Sequence, residues 1–157
     1  MQPNLQLNIN YKHQWKYWNK KKPNLERMAD NREASQEDLD SITKFLKQHL
    51  VPKYGRCIDL CGGMGRCGQM LEEFADTIDI LDINPGNSRI RESKRGITIK
   101  ADLRDIGQRC DDSTYDMVFG NWALCYLNDN DVDSVLQQID RIMKPGGVLV
   151  LKEPTTT

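Results

Sequence analysis

No stretch of this chain approaches the ~18–20 consecutive apolar residues that a bilayer-spanning helix requires, so no membrane role is expected. Histidine is scarce: only His13 and His49 occur, both distant in sequence from the cysteines. The five cysteines, Cys57, Cys61, Cys67, Cys110 and Cys125, form no C-x-x-C pair. Zinc-ligand spacing is therefore missing and no metal site is expected. An odd thiol count without a disulfide framework reads as reduced, mostly buried cysteine in a reducing compartment. The N-terminus, MQPNLQLNINYK, has neither an apolar signal core nor an Arg/Ser-rich bias. Secretion and organelle import are not expected, which leaves an intracellular location, cytoplasmic or nuclear. Charge of one sign is also lacking. A net charge of −1 argues against a dedicated nucleic-acid coat. Internal repeats and low-complexity linkers are absent.

What is present fits one α/β unit: 157 residues, 29% of them charged, with a mean hydropathy of −0.66. Residues 1–34 read as an N-terminal arm or lid segment, with aromatics at 11, 15, 17 and 18 compatible with a short helix ended by Pro23. Residues 35–157 read as the main domain. Ser35 followed by acids marks a helix start, and Leu39, Ile42, Phe45, Leu46 and Leu50 repeat at helical spacing. Strands are expected at 56–60, 77–82, 97–103, 115–121 and 148–152, and helices at 65–75 and 129–144, the latter capped by Asp129 or Asn130. Such alternation implies a parallel sheet covered on both faces. Charge is uneven along the chain: residues 12–22 carry five lysines, whereas 101–133 carry eight aspartates against two arginines. The acidic block would suit a basic substrate or serve as a solvated rim.

The most informative stretch is CIDLCGGMGR, residues 57–66. A β-prone run ends at Asp59, a turn rich in glycine follows (Gly62, Gly63, Gly65), and a helical pattern opens directly after it. That is the nucleotide-cradling corner of a doubly wound sheet, where glycine lets backbone approach a ligand closely. An ordinary βα corner with an Asp cap would look similar. Asp82 ends the next apolar run one helix and one strand later, where an acid can accept both ribose hydroxyls of an adenosine cofactor. The pattern D-x-C-G-G-x-G resembles the first motif of Rossmann-type S-adenosylmethionine (AdoMet) methyltransferases, with Cys61 in the first glycine slot. Asp59 is then placed to orient the ammonium of the cofactor through the loop.

Beyond that motif, residues 14–153 resemble the protein α-N-terminal methyltransferases, AdoMet-dependent enzymes acting on Xaa-Pro-Lys termini. The similarity rests on KYWNKKKP, ASQEDLDSITKFL, IDLCGGMGR, ILDIN, ADLRD, GNWALCYLND and RIMKPGGVLVLKEP, in that order. It implies a Rossmann-like fold that stops before its last strands, and AdoMet as cofactor. By the same resemblance, Trp18 and Met28 would close over AdoMet. Gly63 and Gly65 would form the turn, and Arg66 would pair with the methionyl carboxylate. Asp82 would hold the ribose and Ile83 would stack on adenine. Leu103 and Arg104 would flank adenine, and Asn121 would lie beside the methionyl group. The family has glutamine at the positions of Arg104 and Asn121.

The substrate side departs further. Trp122 is retained and would stack on a substrate proline. Where the family places a histidine this chain has Tyr126, and where it has an asparagine this chain has Pro154; a further family aspartate lies beyond residue 157. Tyr126 and Glu153 are the candidate replacements for proton transfer, with an aromatic packing contact and an edge-strand charge as their plain alternatives. The implied partner is a protein or peptide N-terminus. The alternative is a methyltransferase-like subunit without catalysis that pairs with a partner chain, or with itself, along the open edge of strand 148–152. The patch Trp15, Tyr17, Trp18 and Lys20–Lys22 leaves a nucleic-acid or small-molecule methyltransferase as a third reading.

Overall fold

The computed structural model describes residues 10–20, 32–50, 53–87 and 89–154. Helix α1 spans Tyr11–Lys20 and α2 spans Arg32–His49. Strand β1 (Tyr54–Leu60) leads through the glycine turn into a short helix α3 (Arg66–Leu71), then β2 (Ala75–Asp82) and β3 (Arg95–Lys100). After a single 3-10 turn and the one-turn α4 (Ile106–Arg109) come β4 (Tyr115–Asn121), a second 3-10 turn (Leu124–Tyr126), α5 (Asp129–Ile142) and β5 (Met143–Lys152).

All five strands are parallel, in the order β3-β2-β1-β4-β5. The chain direction therefore reverses outward between β1 and β4, and a crevice opens at the carboxyl ends of those two strands. Alternation along the central strands feeds two cores. Cys57, Ile78, Ile80, Met117 and Phe119 pack under Ile42 and Leu46 of α2 and Leu71 of α3. Ile58, Leu60, Leu81 and Val118 pack under Val135, Ile139 and Ile142 of α5. Period-2 strands that are apolar on both faces require this double cover.

Several boundaries differ from those expected. The α2 helix starts at Arg32 rather than at Ser35, because nothing in Glu33-Ala34 stops helical propagation toward the N-terminus. Helix α3 ends at Leu71 rather than 75. The Phe74 amide turns back to Leu71, and the Phe74 carbonyl accepts from Tyr54 N–H (2.7 Å) at the start of β1. The cap of α5 is Asn128, not Asp129 or Asn130. Its extended backbone lets Oδ1 accept from Asp131 N–H at 2.9 Å. Strand β5 begins at Met143 rather than at 148 and runs through Pro145-Gly146-Gly147. There Met143 pairs with Tyr115 and Val148 with Met117, so four residues bulge opposite Asp116. No described helix is long and apolar enough to cross a membrane.

Candidate functional site

At the crevice between β1 and β4 lies a cavity of about 170 Å³, lined from the ends of β1, β2 and β4, the segment after β3, and α1. Asp59 and the turn residues Cys61, Gly62 and Met64 form its floor, with Arg66 and Cys67 behind them. Asp82, Ile83 and Asn84 come from the end of β2, Asp102 and Leu103 follow β3, and Asn121, Trp122 and Ala123 close β4. Its roof is α1. Tyr11, Gln14, Trp15 and Trp18 recur at helical spacing on the face turned to the cavity.

The roof is pinned at both ends. Tyr11 Oη donates to Asp131 Oδ2 and accepts from Asn128 N–H at 3.0 Å, while the Arg104 guanidinium lies 3.8 Å from the centre of the Tyr11 ring. Farther along, Asn84 Nδ2 donates to the Trp18 carbonyl at 2.8 Å, and the Trp18 ring meets Tyr126 edge-on at 5.7 Å.

The glycine turn departs from ordinary backbone at three places: φ is +54° at Cys61, +53° at Gly63 and +75° at Gly65. Cys61 sits in a conformation that glycine adopts without strain. Gly62 is required for a different reason, since a Cβ there would lie 2.6 Å from Asp59 Oδ2. The turn is tied to β2 by Gly63 N–H, which donates to Asp82 Oδ2 at 3.0 Å, while Asn84 N–H donates to Oδ1 at 2.7 Å. Burial nevertheless raises the Asp82 carboxyl above its ordinary value.

Asp59 is 1% exposed and its Oδ2 has no hydrogen-bond partner. Burial, with the neighbouring charge of Asp82 added, pushes its carboxyl up to about 8. Asn121 Oδ1 is likewise buried and unpartnered. Two orphaned acceptors beside one cavity call for a ligand that brings N–H donors or positive charge. AdoMet carries an ammonium and a sulfonium, so the orphaned acceptors fit it.

Of the residues singled out from sequence, Trp18, Asp59, Arg66, Asp82, Ile83, Leu103, Asn121, Trp122 and Tyr126 line the cavity. Gly63 and Gly65 shape the turn without lining it. Met28 lies outside the described residues. Arg104 is not in the lining, because Asp102 draws it away through contacts of 3.0 and 2.8 Å and Tyr11 covers it. Glu153 does not line it either. Its carboxylate accepts from the N–H groups of Ala123, Leu124 and Cys125 at 3.0, 2.8 and 3.1 Å, which caps the turn after β4. Tyr126 does line the cavity, but burial raises its phenol to about 12, away from a base at neutral pH. The aspartate block at 101–133 is split, with Asp102 and Asp131 at the cavity end of the sheet and Asp112 and Asp116 ion-paired at the far end. Sequence reasoning missed Asp38, Asn84, Asp102 and Gln14. Only Gln14 carried a signal, its place on the aromatic face of α1.

Trp122 has φ +58° and is 44% exposed at the cavity rim, its N–H held by the Lys152 carbonyl at 2.8 Å. A bulky residue held left-handed at a rim is a strain that packing alone does not explain. Among the described residues, no group of three or more His, Cys, Asp and Glu side chains is placed to hold a metal ion.

Residues 6–157 match the family described as AdoMet dependent proline di-methyltransferase. The N-terminal Xaa-Pro-Lys N-methyltransferase 1-B of Xenopus laevis is 30% identical over 135 residues, 78% of this chain and 60% of its own. Phosphoethanolamine N-methyltransferase 1 of Triticum aestivum is 27% identical over 153 residues, 92% of this chain and 31% of its own. A SAM-dependent methyltransferase of Leishmania major superposes with a TM-score of 0.74 at 19% identity, covering 91% of this chain and 60% of that one. The chain thus spans about a third to three fifths of these relatives. The matched span, together with the strand order and the glycine turn, places this chain in the AdoMet-dependent proline di-methyltransferase family, with the Rossmann-like methyltransferase fold.

Proposed function

We propose that this chain is the cofactor-binding body of an N-methyltransferase that acts on the α-amine of a protein or peptide. The observation that carries the reading is the pair of orphaned acceptors, Asp59 Oδ2 and Asn121 Oδ1, in a cavity that Trp18 roofs and Tyr126 lines. When bound, AdoMet supplies a sulfonium methyl open to in-line attack by an amine. On this reading Asp59 and Asn121 accept from the ammonium, Arg66 pairs with the carboxylate and Asp82 takes the ribose. Ile83 and Leu103 flank the adenine, while Trp18 and Met28 belong to the lid. Trp122 presents a ring at the rim for a substrate proline.

Neither Tyr126 nor Glu153 is poised to take a proton, and an α-amine does not demand a strong base. With an ordinary pKa near ~8, about a tenth of it is neutral at pH 7, against well under ~0.1% of a lysine amine. Selectivity for α-amines then follows partly from the substrate's own ionisation, and turnover rises with pH toward 8. The test is transfer from labelled AdoMet to an Xaa-Pro-Lys peptide, with phosphoethanolamine in parallel. Peptide methylation that climbs with pH is expected. Transfer to phosphoethanolamine alone would move the substrate to small amines, and no turnover at high enzyme would sink the reading.

A second reading has one observation in its favour. Leu149 of β5 is 37% exposed, and the outer edge of β5 pairs with no strand among the described residues. A partner chain or second copy added along 148–152 would complete the sheet in a non-catalytic subunit. A monodisperse monomer with turnover, measured by light scattering and the same assay, would remove it.

A further inference from the structure

One carboxylate gathers the amino-acid end of the cavity without lining it. Asp38, on the second turn of α2, has a side chain only 11% exposed. Its Oδ2 accepts from Arg66 Nη2 and Asn121 Nδ2, both at 3.0 Å, and its Oδ1 accepts from Lys152 Nζ. These donors come from the start of α3 and the ends of β4 and β5, so Asp38 ties three elements to a fourth. Burial opposes its ionisation, yet the hydrogen bonds from Lys152, Asn121 and Arg66 outweigh it and hold the carboxyl below its ordinary range.

Two consequences reach the cavity. Because the Asn121 amide directs its NH2 to Asp38, and more weakly to Cys67 Sγ at 3.7 Å, its Oδ1 is left as the orphaned acceptor. Arg66 and Lys152 bring two cationic side chains to this end of the sheet. Acceptors for an ammonium lie beside that charge.

We infer that Asp38 is a positioning residue that presets Arg66 and Asn121 for the zwitterionic amino-acid end of the cofactor. The inference rests on the AdoMet reading of the cavity. The test uses two probes, S-adenosylhomocysteine and 5′-methylthioadenosine, which keeps the adenosine and thioether but lacks the amino-acid end. Both are titrated calorimetrically into the whole chain, wild type, Asp38→Asn and Asp38→Ala, with circular dichroism melts of each. Asp38→Asn is isosteric and keeps an acceptor for Asn121, so it preserves the fold if the alanine variant does not. Both variants are expected to weaken S-adenosylhomocysteine about tenfold, the scale of one partly buried charge-assisted hydrogen bond, while the truncated probe changes by less than about twofold. Parallel loss of both probes would mean a merely structural role and overturn the inference, as would unchanged S-adenosylhomocysteine affinity. Wild type that binds neither probe would instead overturn the cofactor reading, and this inference with it.

Discussion

Two aspartates sit on neighbouring strands one register step apart, Asp59 on β1 and Asp79 on β2, and both are buried, at 1% and 0% exposure. They point to opposite faces of the sheet. Asp79 is fully answered: Arg56 Nε at 2.9 Å, Tyr115 Oη at 2.8 Å and Ile97 N–H at 2.8 Å all donate to it. Asp59 Oδ2 is answered by nothing. A buried acid with both oxygens engaged joins strands β1 to β4 into one body. A buried acid left without a partner destabilises the free protein and marks where a cation belongs.

The largest effect should come from breaking the satisfied site. Asp79→Ala leaves the Arg56 charge and the Tyr115 hydroxyl without their acceptor and is expected to cost about 3–5 kcal/mol in urea unfolding. Cofactor affinity of the remaining folded protein should change little, since Asp79 does not line the cavity.

The orphan site should respond in the opposite direction. The Asp59 carboxyl is raised from 3.8 to about 8, so its protonated form is the one the fold favours. Its contribution is complete below pH 4 and is lost as pH climbs to about 8, which makes the free protein progressively less stable over that window. Asp59→Asn should flatten this pH dependence and stabilise the free protein by about 2 kcal/mol at pH 8, read from urea midpoints at pH 5 and pH 8. Stability that rises with pH in wild type would contradict the assignment.

Tyr11→Phe sharpens the comparison from the roof. It removes the hydroxyl that joins α1 to Asp131 and Asn128. A loss of about 1 kcal/mol is expected, with cofactor affinity reduced a few-fold through the loosened lid, checked by thermal melts and titration. Smallest of all is Cys61→Gly. Relief of the left-handed strain opposes the added chain entropy of glycine, so the melt should report a change below about 1 kcal/mol.

The legible parts of this molecule were those written in neighbouring residues. The β4 strand at 115–121 and the sequence D-x-C-G-G-x-G carry their signal within a few positions, and the parallel sheet follows from the alternation of strands with helices. Aromatic spacing in α1 likewise announced a packed face. What was not legible depended on distant partners. Asp38 reaches Asn121 across 83 positions and looks in sequence like one more acid on a wet helix. Glu153 had the right chemistry for a proton acceptor, but the turn at 123–125 folds back onto it and engages both oxygens. The acidic block reads as one feature only until the fold leaves its two ends, Asp102 and Asp131, at the cavity and carries its middle, Asp112 and Asp116, to the far end of the sheet.

The most direct test of the central claim joins stability and binding in one variant. S-adenosylhomocysteine is titrated calorimetrically into wild type and Asp59→Asn, and the ligand-free samples are melted at pH 8. The account predicts that the variant is the more stable protein and the weaker binder, because the same orphaned oxygen destabilises the free state and receives the ligand's ammonium. A variant that binds as tightly as wild type would contradict it, and would leave the unpartnered Asp59 without a function.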